Sequence, residues 1–244
     1  MQLPLSTPRP FTGKPKAIVS LFDLTGEAVK PWADAGYVCF TFDMQHGDDN
    51  KDVSIVQIGG MADTWADRLA EIFDAFDVRM LLGFPPCTDL ATSGAKHFQA
   101  KAEANPNYLA DAMALVYLVR DIGESYGVPY MIENPVSVIS SQWRKPNHKF
   151  NPSDFGGYLP NDDISPHPNI IPARDAYAKK TCLWTGNGFI MPDAKPVDPI
   201  QYTGKGGLHF NPQTWLLGGK SLRTKNLRSA TPRGFAKAVY AANA

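Results

Sequence analysis

Cysteine is scarce. The chain of 244 residues holds three, Cys39, Cys87 and Cys182. An odd number at wide spacing gives no disulfide framework, and without a CxxC pair there is no zinc-ribbon signature. A reducing, cytoplasmic setting is the default. No apolar run reaches about 18 residues, so no membrane span is expected. The opening residues, MQLPLSTPRPFTGKPK, lack the apolar core of a signal peptide and read as a proline-rich extended lead-in over 1–15. Net charge is missing too: 24 Lys and Arg balance 24 Asp and Glu, which removes the global electrostatic footprint of a nucleic-acid binder. There is no HExxH and no internal repeat. His97, His148, His167 and His209 are scattered, and a zinc site built from Cys182, His148 and His167 lacks the tight ligand spacing that such sites show. No metal is expected.

Acid is absent from one region in particular. Residues 199–244 contain no Asp or Glu, yet Lys205, Lys220, Arg223, Lys225, Arg228, Arg233 and Lys237 all fall there. QWRKPNHK (142–149) adds further positive charge. The alternatives are a solvated surface and a local basic face.

What is present is an alternation of short apolar runs with helical patterns. KAIVSLF (16–22), VCFTFD (38–43), VSIVQI (53–58), VRMLLGF (78–84), PYMIE (129–133) and KKTCLWTG (179–186) read as strands. TGEAVKPWADAGY (25–37) reads as a short or kinked helix because of Pro31. MADTWADRLAEIFDAF (61–76) and NYLADAMALVYLVRDIGESYG (107–127) carry apolar residues at helical spacing. TPRGFAKAVYAAN (231–243) opens on a capping threonine and a proline. Residues 136–177 form an irregular insertion, longer than a connector needs. The sum is an α/β chain, a mostly parallel sheet with helices on both faces, in a single domain spanning 1–244. Ligands of such sheets bind beyond the carboxyl ends of the strands. That rule gathers Phe22–Gly26, Asp43, Pro85–Cys87 and Glu133–Pro135 at one rim.

Cys87 follows Pro85 and Pro86, which fix the backbone ahead of it. One reading is a small apolar residue near a strand end; the other is a nucleophilic thiol aimed out of the sheet edge. Cys39 and Cys182 sit inside strand patterns and read as core. Glu133 comes directly after a buried strand, where an acid is costly unless it is paired or has work to do; a plain turn or cap at ENP is the alternative. LFDLTGEAV (21–29) supplies a strand, a tight turn with Gly26 and a helix start, suited to the polar part of a nucleotide-like ligand. It is not GxGxxG. Asp43 falls about 20 residues later, where α/β nucleotide binders place an acid on ribose hydroxyls.

Taken in order, a Phe/Gly loop after the first strand, an acid after the second, Pro-Pro-Cys after the fourth and Glu-Asn after the fifth resemble the DNA cytosine-5 methyltransferases, over roughly residues 17–135. FPPC is the specific part and IEN the supporting part. The longer wording, GFPPCTDLATSG, IENP, RKP, KKTCLWTG and TPRGFAKAV, looks like the short, phage-encoded DNA methylases, which act in a bacterial host's cytoplasm. The resemblance implies a Rossmann-like methyltransferase fold, DNA as partner, and S-adenosylmethionine as cofactor, held by Phe22, Asp23, Leu24, Gly26, Asp43 and Pro85. Cys87 would attack C6 of a flipped cytosine while Glu133 holds the Watson–Crick edge at N3, and C5 would take the methyl group. Pro86, Asn134, Arg144, Lys180, Lys220, Arg223, Lys225 and Arg228 would serve the substrate side. The chain departs from the family at Glu-Asn-Pro in place of Glu-Asn-Val. AKKTCLW stands where the family has Gln-x-Arg-x-Arg, and there is no room for a large target-recognition domain; the alternatives are low specificity and target reading by residues 136–176. Two other readings stay open: a pyrimidine C5-modifying enzyme with another one-carbon donor or a free nucleotide, and a non-catalytic binding protein.

Overall fold

The computed structural model describes residues 13–47, 54–168, 170–203, 207, 209–210 and 221–244. Strand β1 (Lys16–Leu21) is buried from its second residue onward, as a central strand covered on both faces must be. It pairs in parallel with β2 (Val38–Phe42) and, on its other side, with β4 (Asp77–Gly83). β3 (Ile55–Ile58) extends the sheet beyond β2, and β5 (Tyr130–Pro135) extends it beyond β4, both in parallel. β7 (Thr181–Gly186) lies antiparallel to β5, and β6 (His148–Phe150) antiparallel to β7. The seven strands run in the order β3-β2-β1-β4-β5-β7-β6. The order reverses between β1 and β4, which is where such sheets open a crevice. A separate ribbon pairs β8 (Tyr202–Thr203) with β9 (His209–Phe210).

In chain order the helices among the described residues are α1 (Lys30–Asp34), α2 (Ala66–Ala75), α3 (Phe98–Ala104), α4 (Tyr108–Tyr126), α5 (Ile139–Gln142), α6 (Leu222–Ser229) and α7 (Arg233–Asn243). Alternation along β1 divides the core. Ala17, Val19 and Leu21 join Leu69 and Ile72 of α2 and Met113, Val116 and Val119 of α4. Ile18 points the other way, to Trp32 of α1 and Phe235, Ala238 and Val239 of α7. Helix α4 approaches the sheet so closely that a Cβ at Gly83 would stand 2.6 Å from Val119, and one at Gly123 2.4 Å from Tyr130. Neither position has room for a side chain. No helix among the described residues is long and apolar enough to cross a membrane.

The α/β pattern and the mostly parallel sheet expected from the sequence are present. Pro31 lies in the first turn of α1, where its missing N–H costs nothing, and the helix is short. The insertion at 136–177 is more ordered than its composition suggests. It contains α5, the edge strand β6, and 3-10 turns at Pro152–Tyr158 and Ala173–Asp175. Its turns dock on α7: the Phe155 and Phe235 rings lie 5.2 Å apart, and Gly234 N donates to Asp175 Oδ2 at 2.8 Å. Helices α3 and α6 were not legible either, since neither carries an apolar stripe. Residues 1–12 of the lead-in and the start of the third strand at Val53 lie outside the described residues.

Candidate active site

The rim begins where β1 ends. Phe22 adopts φ 60°, a left-handed conformation that turns the chain out of the sheet. Its ring leans on Trp65, centroids 5.3 Å apart. Asp23 then faces inward rather than outward. Its carboxylate accepts from Ser20 Oγ at 2.8 Å, Gly26 N at 2.9 Å and Thr25 Oγ1 at 3.4 Å, and the residue is 4% exposed. Burial pushes this carboxyl up, and the three bonds oppose the rise. Asp23 therefore braces the loop through its side chain. Gly26 is required by its backbone, at φ 68°, rather than by crowding, because an added Cβ would meet only Ile55 at 3.8 Å. Leu24 is half-buried beside it.

Asp43, just past β2, is half-buried and accepts from Gln45 N at 2.8 Å through Oδ1. Its other oxygen has no hydrogen bond among the described residues, and it stays available at the rim. His46 was missed. Its Nε2 stands 3.1 Å from Asp23 O, tying the end of β2 to the Gly26 loop. The signal was proximity alone, three positions after Asp43.

Across the rim, β4 and β5 deliver Cys87 and Glu133. Pro85 is buried, and its carbonyl accepts from Asn134 Nδ2 at 2.9 Å. The two loops are laced further by Thr92 N to Val136 O at 3.0 Å, Val138 N to Leu90 O at 2.9 Å, and a bridge between Ala91 and Ser137. Asn134 is 1% exposed and its Oδ1 is buried without a partner. Pro85 and Asn134 thus clamp the rim from inside. Pro86 is exposed, and Cys87 opens the 3-10 turn Cys87–Asp89.

Cys87 is exposed, whereas Cys39 and Cys182 are buried, as their strand patterns required. Protein nonetheless surrounds the Cys87 sulfur on most sides. Loss of water, and next the Glu133 charge, push its thiol up, while Lys179 and Lys101 pull it down. Lys101 is itself engaged by Asp89 at 2.7 Å. Glu133 is half-buried on β5, opposite Leu183. Burial pushes its carboxyl up, with Lys179 opposing. This arrangement sets a potential nucleophile beside a carboxyl that holds its proton to higher pH than an exposed glutamate.

The cations sort less well. Lys179, not Lys180, is the cation acting on both Cys87 and Glu133; Lys180 is exposed and acts on Cys182. A two-residue choice within AKK could not be made without the β5–β7 register. Arg144 is not at the rim. Its Nη2 donates to Thr185 O at 2.9 Å, and Thr185 pairs with Met131 near the opposite end of β5. Arg223, Lys225 and Arg228 are exposed on α6, and Lys179 Nζ donates to Arg228 O at 2.8 Å. Lys220 lies outside the described residues.

A cavity of about 530 Å³ opens beside the Gly26 loop, between it, the insertion, α6 and the start of α7. Thr25, Glu27, Asp175, Tyr177, Arg223 and Arg233 contribute its polar lining. Phe22 and Asp43 do not line it. Among the described residues no group of three or more His, Cys, Asp or Glu is placed to hold a metal. No protein-family model matches the chain, and no curated protein matches it.

Proposed function

We propose that the protein methylates C5 of cytosine in DNA through a covalent bond between Cys87 and C6, on a Rossmann-like methyltransferase fold. One observation carries the reading: an exposed thiol and a proton-holding carboxyl stand at adjacent strand ends, on loops laced to one another by Asn134 and by the Ala91–Ser137 bridge. The sheet supports it as well. It follows the doubly wound order from β3 to β5 and then inserts a reversed strand, β7, before β6.

Cys87, as thiolate, adds to C6 of a cytosine swung out of its stack. Glu133 donates its proton, or a hydrogen bond, to N3, so that the electron pair is delivered to C5. S-adenosylmethionine, when bound, supplies an electrophilic methyl group and departs as the thioether. Loss of the C5 proton to solvent then allows Cys87 to leave C6, which regenerates the thiolate, and the N3 proton returns to Glu133. The Gly26 loop, the free oxygen of Asp43 and the Phe22 ring suit the nucleoside part of that donor. The neighbouring cavity is of ligand size.

Incubation with S-adenosylmethionine and an oligonucleotide containing 5-fluorocytosine, whose C5 fluorine cannot leave once the methyl group is added, tests the core of the reading. A covalent complex that survives denaturation and is lost in Cys87→Ser is the expected result; no complex would refute it. A second reading keeps the Cys87–Glu133 chemistry with a different one-carbon donor. It is favoured by the cavity, whose lining includes Glu27, Asp175 and Arg233 but neither Phe22 nor Asp43. Calorimetry with S-adenosylmethionine separates the two.

A further inference from the structure

Helix α6 is poorly anchored for an element beside a reaction centre. Its sequence, LRTKNLRS, has no apolar stripe, and Thr224 is its one buried residue among those described. Besides the half-buried Leu227, what holds it is polar. Ser221 caps its first turn, accepting from Thr224 N at 3.2 Å, and Asn226 Nδ2 reaches Gln45 Oε1 at 3.4 Å. At the other end Lys179 Nζ donates to Arg228 O at 2.8 Å. A cation at the last carbonyls of a helix satisfies an orphan acceptor and the negative end of the dipole.

Lys179 lies two residues before β7, and Thr181 Oγ1 bonds its carbonyl at 2.9 Å. Thr181 pairs with Pro135, two positions past Glu133. The same ammonium closes α6 on one side, and the β5–β7 register sets it near enough to the Cys87–Glu133 pair for its charge to act on both. We infer that Lys179 is a positioning residue that couples the docking of α6 to the reactivity of Cys87. The Arg228 carbonyl fixes the end of a long, flexible side chain where its charge faces the pair; when α6 lifts, the ammonium is released to solvent and the pair loses its cation. Because α6 carries Arg223, Lys225 and Arg228, a polyanion seated on it holds the helix down and so keeps the cation in place.

The groups facing Cys87 are Glu133, Lys179 and Lys101, the last neutralised by Asp89. Glu133 is faced by Lys179, and its own charge reaches Tyr177 and Cys182. Removing Lys179 therefore withdraws the one cation among the described residues that acts on both members of the pair, and the thiol rises further.

The inference rests on Cys87 and Glu133 being the working pair, but its test needs neither DNA nor a methyl donor. Alkylation of Cys87 by iodoacetamide at pH 8, followed by mass spectrometry, reads the thiolate directly. Lys179→Met should slow it roughly three- to tenfold, the effect of losing one partly screened charge. Amide exchange over 222–229 should quicken in the same variant, and Lys179→Arg should restore both. The double variant Asn226→Ala, Leu227→Ala keeps Lys179 and loosens α6; it too should slow alkylation. Unchanged alkylation in Lys179→Met, or in the double variant once exchange shows the helix loosened, overturns the coupling. A failure to trap 5-fluorocytosine would instead overturn the function and leave these measurements standing.

Discussion

At the scale of single residues, Cys87 and Glu133 oppose one another. The Glu133 charge raises the thiol's cost of ionising, and burial raises both groups. The reactive form is the thiolate beside the protonated carboxyl, one proton transfer away from thiol and carboxylate. Turnover should peak between the two raised values, with the acidic limb belonging to Glu133 and the alkaline limb to the thiol. Glu133→Gln removes the charge that lifts the thiol, so iodoacetamide should modify Cys87 faster at pH 8. Methyl transfer should fall by about 10² or more in the same variant. Opposite changes in the two assays check the assignment; parallel changes contradict it. Cys87→Ser should abolish turnover with the fold intact, because a hydroxyl is a far weaker nucleophile than a thiolate. Asp43→Ala, which removes the free carboxylate oxygen beyond β2, should weaken S-adenosylmethionine binding by about 1.5–3 kcal/mol in a direct titration.

Between elements, the least obvious join is that of the insertion to α7. Arg233 makes two bonds to Asp163, at 2.8 and 2.7 Å, and its guanidinium lies 3.8 Å from Asp175. The Asp163 carboxyl is held below its ordinary value chiefly by Arg233. Its contribution to stability is therefore full above the unfolded value of 3.8 and lost as pH falls through the lowered folded value. Arg233→Met should cost about 2–4 kcal/mol in urea unfolding at pH 7, because two acids are left beside an apolar side chain. The loss should shrink as pH drops below about 4. A pH-independent loss would assign the effect to packing alone.

For the molecule as a whole, zero net charge conceals an arrangement. Lys101 and Lys179 face Cys87, and Arg223, Lys225 and Arg228 ride on the helix that Lys179 ties to that rim. Arg144 is bonded near the opposite end of β5. If DNA lies across the reactive rim, alanine at Arg223, Lys225 or Arg228 should each flatten the slope of log affinity against log salt by roughly 0.9. Arg144→Ala should leave the slope unchanged. A flattened slope for Arg144→Ala with none for the α6 variants would move the DNA to the other end of the sheet.

The sequence by itself determined the layer architecture. Apolar runs of strand length between helical periods permit little else, and continuous burial of β1 needs both faces covered. It also placed Cys87, Glu133 and Asp43 at one rim, since chain direction in a parallel sheet puts every strand end on the same side. Tertiary structure decided what those neighbours do. That the Asp23 and Asn134 side chains brace the loops was not legible, because a sequence shows that a polar residue stands at a strand end but not which way it faces. Lys179 was chosen over Lys180 by the pairing of β7 with β5, a long-range register that no local pattern encodes. Arg144 was carried to the far end of β5 by the return of the chain through α5, and β6 and α6 formed without an apolar signature. Burial raised the thiol and the carboxyl, and burial arises only once strands distant in sequence have met.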